Sequence, residues 1–480
     1  MREEYDAVVI GSGPNGLCAA IRLAQAGLSV HVIEGKSRAG GGLRTEELTL
    51  PGFLHDVCSA AHPMGVLSPY LKSLPLGEHG LEWAFPEASV AHPLDDGTAV
   101  MLYRDLERTA EGLGADSNAY KRLLGPFVRR IEDLLADSLA PLGIPKSPFL
   151  LARFGLAAVR SAVGLGQSRF REQRARALLA GCAGHSLIPL EFLLSSAVGL
   201  MFLVTGHATD WPVARGGSES IGRALISLLK SLGGTIETDR MVTDVAELPP
   251  ARAYLFDTSP AQLASIAENV LPAGYRRRLG RYRYGPGVFK VDWALREPIP
   301  WRDSSVREAS TVHIGGTLDE IAASERAMWS GEHSERPYMI LVQQSHFDRS
   351  RAPEGKHTGY AYCHVPEGST RDMTEVLENQ IERFAPGFKD VIEAKATRNT
   401  VQWQAHNPNY VGGAITGGVA DMFQLFTRPV ARLDPYRTPN RHLYICSAST
   451  PPGGGVHGMC GFHAAESVLK RIKRLPHARF

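Results

Sequence analysis

An excess of charge of either sign is missing from this sequence. Its 52 lysines and arginines nearly balance 50 aspartates and glutamates, leaving a net charge of +2. That surplus is too weak for nucleic acid to be a main partner, and no RNA- or DNA-binding motif occurs. Cysteine is sparse: six residues, at 18, 58, 182, 363, 446 and 460, with no CxxC among them. They suit neither a disulfide framework nor a zinc site, so no metal is expected and a reducing, cytoplasmic setting is. Without a redox cysteine pair, disulfide reduction is not the expected chemistry. Long hydrophobic runs are lacking too. The longest, Phe192 to Val204, is too short and too interrupted to span a bilayer. No signal peptide is expected, because "MREEYDAVVIG" enters a strand almost at once. Neither an internal repeat nor a low-complexity segment is evident.

What is present is ordinary in bulk and specific in detail. Hydrophobic residues make up 44% and charged residues 21%, as in globular enzymes, and 480 residues suggest two intertwined domains. Tyr5 to Ile10 read as a buried parallel strand, being continuously apolar and β-branched. Gly11, Ser12, Gly13, Pro14, Asn15 and Gly16 follow as GxGxxG, and an amphipathic helix pattern follows them. A second strand, Leu28 to Ile33, leads into Glu34 and Gly35. Gly11 permits the tight turn, Gly13 lets backbone approach a pyrophosphate, and Gly16 lets helix pack on strand. The helix N-terminus offers free N–H groups to phosphates. Glu34, eighteen residues past Gly16, is placed to accept hydrogen bonds from ribose hydroxyls.

A second glycine cluster comes soon after. Gly40, Gly41 and Gly42 precede Leu43, Arg44 and Thr45. A nicotinamide-binding unit does not need it. The pattern resembles the two-dinucleotide-binding flavoproteins, in which such a segment runs beside the FAD pyrophosphate. Arg44 is then a phosphate contact; the competing reading is a surface arginine in a loop.

Three longer stretches narrow the resemblance. "GGGLRTEELTLPGFLHDVCSAAHPM", "WPVARGGSESIGRAL" and "LYICSASTPPGGGVHGMCGFHAAESVL" are similar to the phytoene desaturase-related flavoproteins, in the same order and over essentially the whole chain. That family includes carotenoid desaturases and isomerases, retinol saturase, and a mitochondrial pyridine nucleotide-disulphide oxidoreductase domain-containing protein. Middle segments such as "RYGPGVFKVDWAL" and "IERFAPGF" resemble the last of these, and a bacterial branch beside it, more than the carotenoid enzymes. The resemblance implies an α/β fold with a Rossmann-type FAD-binding domain. Inserted into it is an α+β substrate domain with an antiparallel sheet and a helical region. It implies that Gly455, Val456 and Met459 approach the ribityl chain and ring, with His457 nearby, and that Val242 touches the adenine. It also implies quinone or oxygen as electron acceptor. Where many relatives carry an acid for the ribityl hydroxyls, this chain has Ser447, Ala448 and Ser449.

The expected cofactor domain is discontinuous: residues 1–65, 206–261 and 431–480. Residues 66–205 and 262–430 form the expected substrate domain, with helices over about 115–205. A helix from about Ser220 to Leu232, stopped by Gly233 and Gly234, and a strand from Thr235 to Thr238 return to the cofactor domain. "VGLGQS" at 163–168 lacks the strand and third glycine of a second dinucleotide site, so no built-in NAD(P)H domain is expected.

The expected chemistry is dehydrogenation or desaturation of an apolar, lipid-soluble substrate, polyene or isoprenoid-like, with the flavin taking a hydride. A reduced-flavin isomerase or saturase, and a flavin-binding interaction protein without turnover, are the alternatives. Acid–base candidates are His313, Tyr362 and His364, each weighed against a structural role. Asn407 to Gly418, rich in glycine, is either near the flavin or an irregular connection. Pro148 to Gly166 is either a core helix or one lying on a membrane surface. The basic tail "KRIKRLPHARF" is either a solvated helix end or a contact for anionic lipid.

Overall fold

The computed structural model describes residues 4–478 and 480. Two sheets organise it. The first has five parallel strands in the order Leu443–Ile445, Ala251–Phe256, Tyr5–Ile10, Val30–Ile33 and Thr235–Glu237. Tyr5–Ile10 sits at its centre, which explains the apolar run Ala7 to Ile10. The helix Pro14–Gln25 follows, with proline in its first turn, where no backbone N–H is needed. Gly27, at φ +80°, ends it. Helix Met459–Leu469 packs on that helix so closely that a Cβ on Gly461 would lie 1.8 Å from the Asn15 carbonyl oxygen.

The second sheet has seven strands, in the order Ile392–Arg398, Gly287–Leu295, His357–Val365, Met339–Val342, Ala309–Ile314, Ala88–Pro93 and Ala99–Tyr103. Its pairings are antiparallel except one: Ala309–Ile314 runs parallel to Ala88–Pro93. Ala88–Pro93 and Ala99–Tyr103 lie ahead of the helical region in sequence, so the sheet draws on both expected insertions. Strict alternation gives it two faces. Val291, Trp293, Leu341, Ala361 and Cys363 pack with Leu377, Ile381 and Phe384 of the helix Thr374–Phe384. The other face carries Lys290, Tyr360, Tyr362, Ile340, Val342, Thr311 and His313 in cross-strand register. Helix Gln173–Gly184 lies against that face on its glycines: a Cβ on Gly181 would come within 3 Å of both His313 and His92.

Several elements differ from expectation in extent. The second strand begins at Val30 rather than Leu28, and the third stops at Glu237. Helices run from Leu106 to Thr209, longer than 115–205. The segment 148–166 forms two helices, Pro148–Ala158 and Ala162–Arg169, at 94° to each other. The core reading holds for part of it. Leu150, Phe154, Ala157 and Ala158 face the core, while Phe149 (90% exposed) and Leu156 (77%) face outward. Among the described residues no single helix is long and apolar enough to cross a membrane. The basic residues Lys470, Arg471, Lys473 and Arg474 of the tail are exposed just past helix Met459–Leu469, while Ala478 bridges to Ala251 and the Phe480 ring lies tilted, 5.2 Å from Tyr254. Residues 1–3 and Arg479, at the two ends of the expected cofactor domain, lie outside the described residues.

Candidate functional site

The first glycine loop is built by backbone. Gly11, at φ +98°, turns the chain out of the strand, and a Cβ there would lie 2.9 Å from the Asp257 carbonyl oxygen. At Gly16 a Cβ would lie 2.2 Å from the Gly11 carbonyl oxygen. A Cβ on Gly41 would lie 2.8 Å from the Gly13 Cα. The second glycine cluster therefore rests directly on the first. Side chains at these positions would keep the two loops apart, which is why both clusters are glycine.

Glu34 stands at the end of the second strand and lines the resulting cavity. It accepts from the Ser12 N–H (3.0 Å) and the Lys36 N–H (3.0 Å), and Arg44 lies 3.4 Å away. Arg44 is buried, not a surface residue, and donates to the Arg38 carbonyl at 2.8 Å. It still lines the cavity, as do Gly35, Gly42 and Val242. Gly16 and Leu43 do not. Gly16 is spent on packing and donates its N–H to Asp257 at 2.9 Å, while Leu43 is in the core.

At the other end of the loops, Ser447, Gly455 and Val456 line the cavity, and His457 and Met459 do not. His457 is buried, accepts from the Met459 N–H at 3.0 Å, and sits 3.1 Å from the Gly453 carbonyl. It caps the last helix rather than leaving that N–H for a ligand. Burial pushes its pKa down to about 4, so the cap is a neutral imidazole. The glycine-rich segment 407–418 does reach the cavity, through Asn409, Tyr410, Thr416 and Gly417. A Cβ on Gly417 would lie 2.5 Å from Ala448 Cβ, so this segment closes on the same loop as Ser447.

Two acidic contributions were not singled out in the sequence. Asp257 follows the strand Ala251–Phe256 and sits between Gly13 and Gly16. Burial pushes its pKa up to about 8 against the backbone N–H bonds that lower it, and the nearby Glu34 adds to the rise. It is thus placed to be uncharged where a pyrophosphate would lie. Asp56, further along, accepts from Thr45 (2.9 Å) and the Ser218 N–H (2.7 Å) and pairs with fully buried Arg351. Lys290 joins this buried ionic group, bonded to Asp292 (2.7 Å) and to the Asp56 carbonyl (2.8 Å), with its ammonium 4.2 Å from the Tyr360 ring centroid.

The cavity continues past the glycine loops onto the polar-aromatic face of the seven-stranded sheet. Tyr360, Tyr362, Ile340, Val342 and Thr311 form that wall, with His185, Phe202 and Trp211 from the helical layer. Of the three acid–base candidates, Tyr362 alone lines the cavity. His313 is buried behind it and reaches it through His185, whose Nε2 lies 2.8 Å from the His313 Nε2. His364 is held by Glu325 at 2.7 Å, away from the cavity. His185 and Trp211 were missed; Trp211 opens the "WPVARGG" segment already singled out, and His185 carries no local signal.

The residues present fit FAD. A dinucleotide in this cavity would meet glycine backbone at its phosphates, with Glu34 and Val242 in the lining to take a ribose and the adenine, and two features still ask for a partner there. Asn15 Oδ1 and Thr258 Oγ1 are buried without any hydrogen bond, and both residues line the cavity. Such orphaned polar atoms are rare in a finished interior.

Comparison with known proteins agrees with this geometry. Residues 9–74 match the NAD(P)-binding Rossmann-like domain family. The rat (Rattus norvegicus) pyridine nucleotide-disulfide oxidoreductase domain-containing protein 2 is 26% identical, covering 99% of this chain and 95% of its own. Phytoene dehydrogenase of Streptomyces griseus is 25% identical over 98% of this chain and 96% of its own. Among solved structures, an oxidoreductase from Methanosarcina mazei superposes with a TM-score of 0.65 at 16% identity, covering 98% of this chain and all (100%) of that one, a likeness of fold. The chain is a distant homologue of the rat protein and of phytoene dehydrogenase, with a Rossmann-type dinucleotide-binding domain and an inserted α+β domain.

Proposed function

We propose that the protein is an FAD-dependent oxidoreductase that dehydrogenates an apolar molecule held against the seven-stranded sheet. One observation carries this reading: the cavity that runs over the glycine loops continues, without a dividing wall, between Tyr360, Tyr362, Ile340, Val342, Phe202 and Trp211. Bound FAD supplies a hydride acceptor. The chain's own part is to bind, orient and exclude water. The aromatic and aliphatic wall holds an apolar chain across the flavin end of the cavity. Lys290 and Asp292 lie buried beside Tyr360 on the same face, already paired, and so bring no free charge to the wall. Tyr362 lines the cavity, and burial raises its pKa, so it stays protonated and can donate a hydrogen bond. The likeness to phytoene dehydrogenase supports a polyene or isoprenoid-like substrate. Quinone or oxygen is the acceptor this reading implies. The outward Phe149 and Leu156 support contact with a lipid surface, where such substrates reside.

Anaerobic mixing of the flavin-loaded protein with a panel of lipid-soluble polyenes tests the reading. Bleaching of the flavin band by at least one member is expected. Turnover only after prior reduction, without net electron consumption, would replace dehydrogenation by isomerisation. A flavin that no panel member bleaches, in a protein that captures a defined partner, would replace it by a non-catalytic role.

A further inference from the structure

The inner end of the cavity is not finished as a hydrocarbon site. Thr311 (1% exposed) and Trp211 (2%) line it, and Thr311 Oγ1 and Trp211 Nε1 are buried with no hydrogen-bond partner. Threonine in a strand and tryptophan in a core normally find one, and an apolar ligand returns nothing for their lost hydration. His185 lines the same end, with its Nε2 committed to His313 and no protein group on its Nδ1 among the described residues. The three side chains belong together in space. The rings of His185 and Trp211 are 5.7 Å apart, and Ser310, next to Thr311, donates to the Trp211 carbonyl at 2.9 Å.

The backbone also points here. Asp210 and Trp211 are both left-handed, at φ +56° and +45°. A bulky residue takes that conformation only where its surroundings impose it, and such strain gathers at binding sites. Here it turns the Trp211 ring against Phe202 (5.0 Å) and His185.

We infer that this inner end binds an uncharged oxygen function, a hydroxyl or carbonyl, carried by an otherwise apolar substrate, with Trp211 and Thr311 donating to it and His185 donating or accepting. The inference rests on the apolar-substrate reading above and narrows it. An anionic end group does not fit. The inner wall of His185, Phe202, Trp211, Thr311 and Tyr362 contains no lysine or arginine. Burial pushes His185 down to about 3 and His313 well below its ordinary value, so the histidine pair is neutral and shares one tautomeric proton. A neutral pair of this kind both gives and receives a hydrogen bond, which matches an alcohol or a carbonyl and leaves a carboxylate uncompensated.

The test uses the flavin-loaded protein and three probes of equal chain length delivered from cyclodextrin: 1-dodecanol, dodecane and dodecanoate. Binding is read from the perturbation of the flavin absorption band. Dodecanol is expected to bind at least about tenfold more tightly than dodecane, the worth of one or two hydrogen bonds, and dodecanoate no more tightly than dodecane. Thr311→Val, which keeps side-chain shape, and separately His185→Phe should each reduce the dodecanol preference while FAD content and dodecane binding persist. Equal binding of dodecanol and dodecane, tightest binding of dodecanoate, or a preference that survives both substitutions overturns this inference alone. Failure of all three probes to bind overturns the apolar-substrate reading with it.

Discussion

The glycine loops and the sheet face meet across one cavity but are built in opposite ways. At the loops the working groups are backbone, and what matters is the absence of side chains: Gly41 rests on Gly13, and Gly16 on Gly11. At the sheet face the working groups are side chains, set by register across four strands and braced on the same face by a buried ionic group. A site made from backbone is compact in sequence and tolerates almost no added atom. A site made from side chains is scattered in sequence and depends on partners far along the chain.

Breaking the second region's support should have the largest effect. Arg351→Leu leaves buried Asp56 unpaired and should cost about 3–5 kcal/mol of unfolding free energy, read by chemical denaturation. The double replacement of Arg351 and Asp56 by leucine should recover part of it. If the single substitution were silent, the ionic group would not be what anchors the sheet face. The first region is probed by Gly16→Val. Its Cβ falls 2.2 Å from backbone that has no room to yield, and overpacking of about 2–3 kcal/mol should lower FAD affinity tenfold or more. Retention of stoichiometric FAD would mean the loop is looser than its contacts indicate.

An effect spread over several pH units separates Asp257, a buried acid of the loops, from their backbone. The pKa of Asp257 is raised to about 8 in the folded chain. The folded state therefore holds a proton that the unfolded state releases near pH 4, so this residue's contribution to stability falls as pH climbs from about 4 to about 8 and is constant above that. The slope it adds is at most about 1.4 kcal/mol per pH unit. Flavin-free protein should show this decline, and Asp257→Asn should flatten it; identical pH profiles for the two would refute the assignment. Smallest of all is the exposed pair Lys72–Glu132, at neither region, whose coupling in a double-mutant cycle should stay within about 0.5 kcal/mol.

The same contrast explains what was legible in the sequence. Gly11 to Gly16, Glu34 and Gly40 to Gly42 announce themselves because backbone approach restricts residue type at fixed local spacing. The strands also read well, because burial on both faces gives continuous apolar runs. Asp257 was passed over although it holds the Gly16 N–H, since the two are 241 residues apart. Asp56 and Arg351 are separated by 295 residues, and His185 and His313 by 128. No local pattern marks a pair that only topology brings together. Alternation places Tyr362 and His364 on one face, yet only packing shows that Glu325 takes His364 and leaves Tyr362 at the cavity. Met459 and His457 stand where a helix N-terminus faces a ligand in the resemblance, and a side-chain cap that spacing does not reveal takes their place.

Whether both glycine loops enclose a flavin dinucleotide is read from the visible absorption spectrum of the purified protein, together with the identity of whatever denaturation releases. Flavin bands near those of free FAD and release of about one FAD per chain are predicted. A colourless protein that also refuses added FAD would mean that neither loop holds the dinucleotide, and the oxidoreductase reading would fall with it.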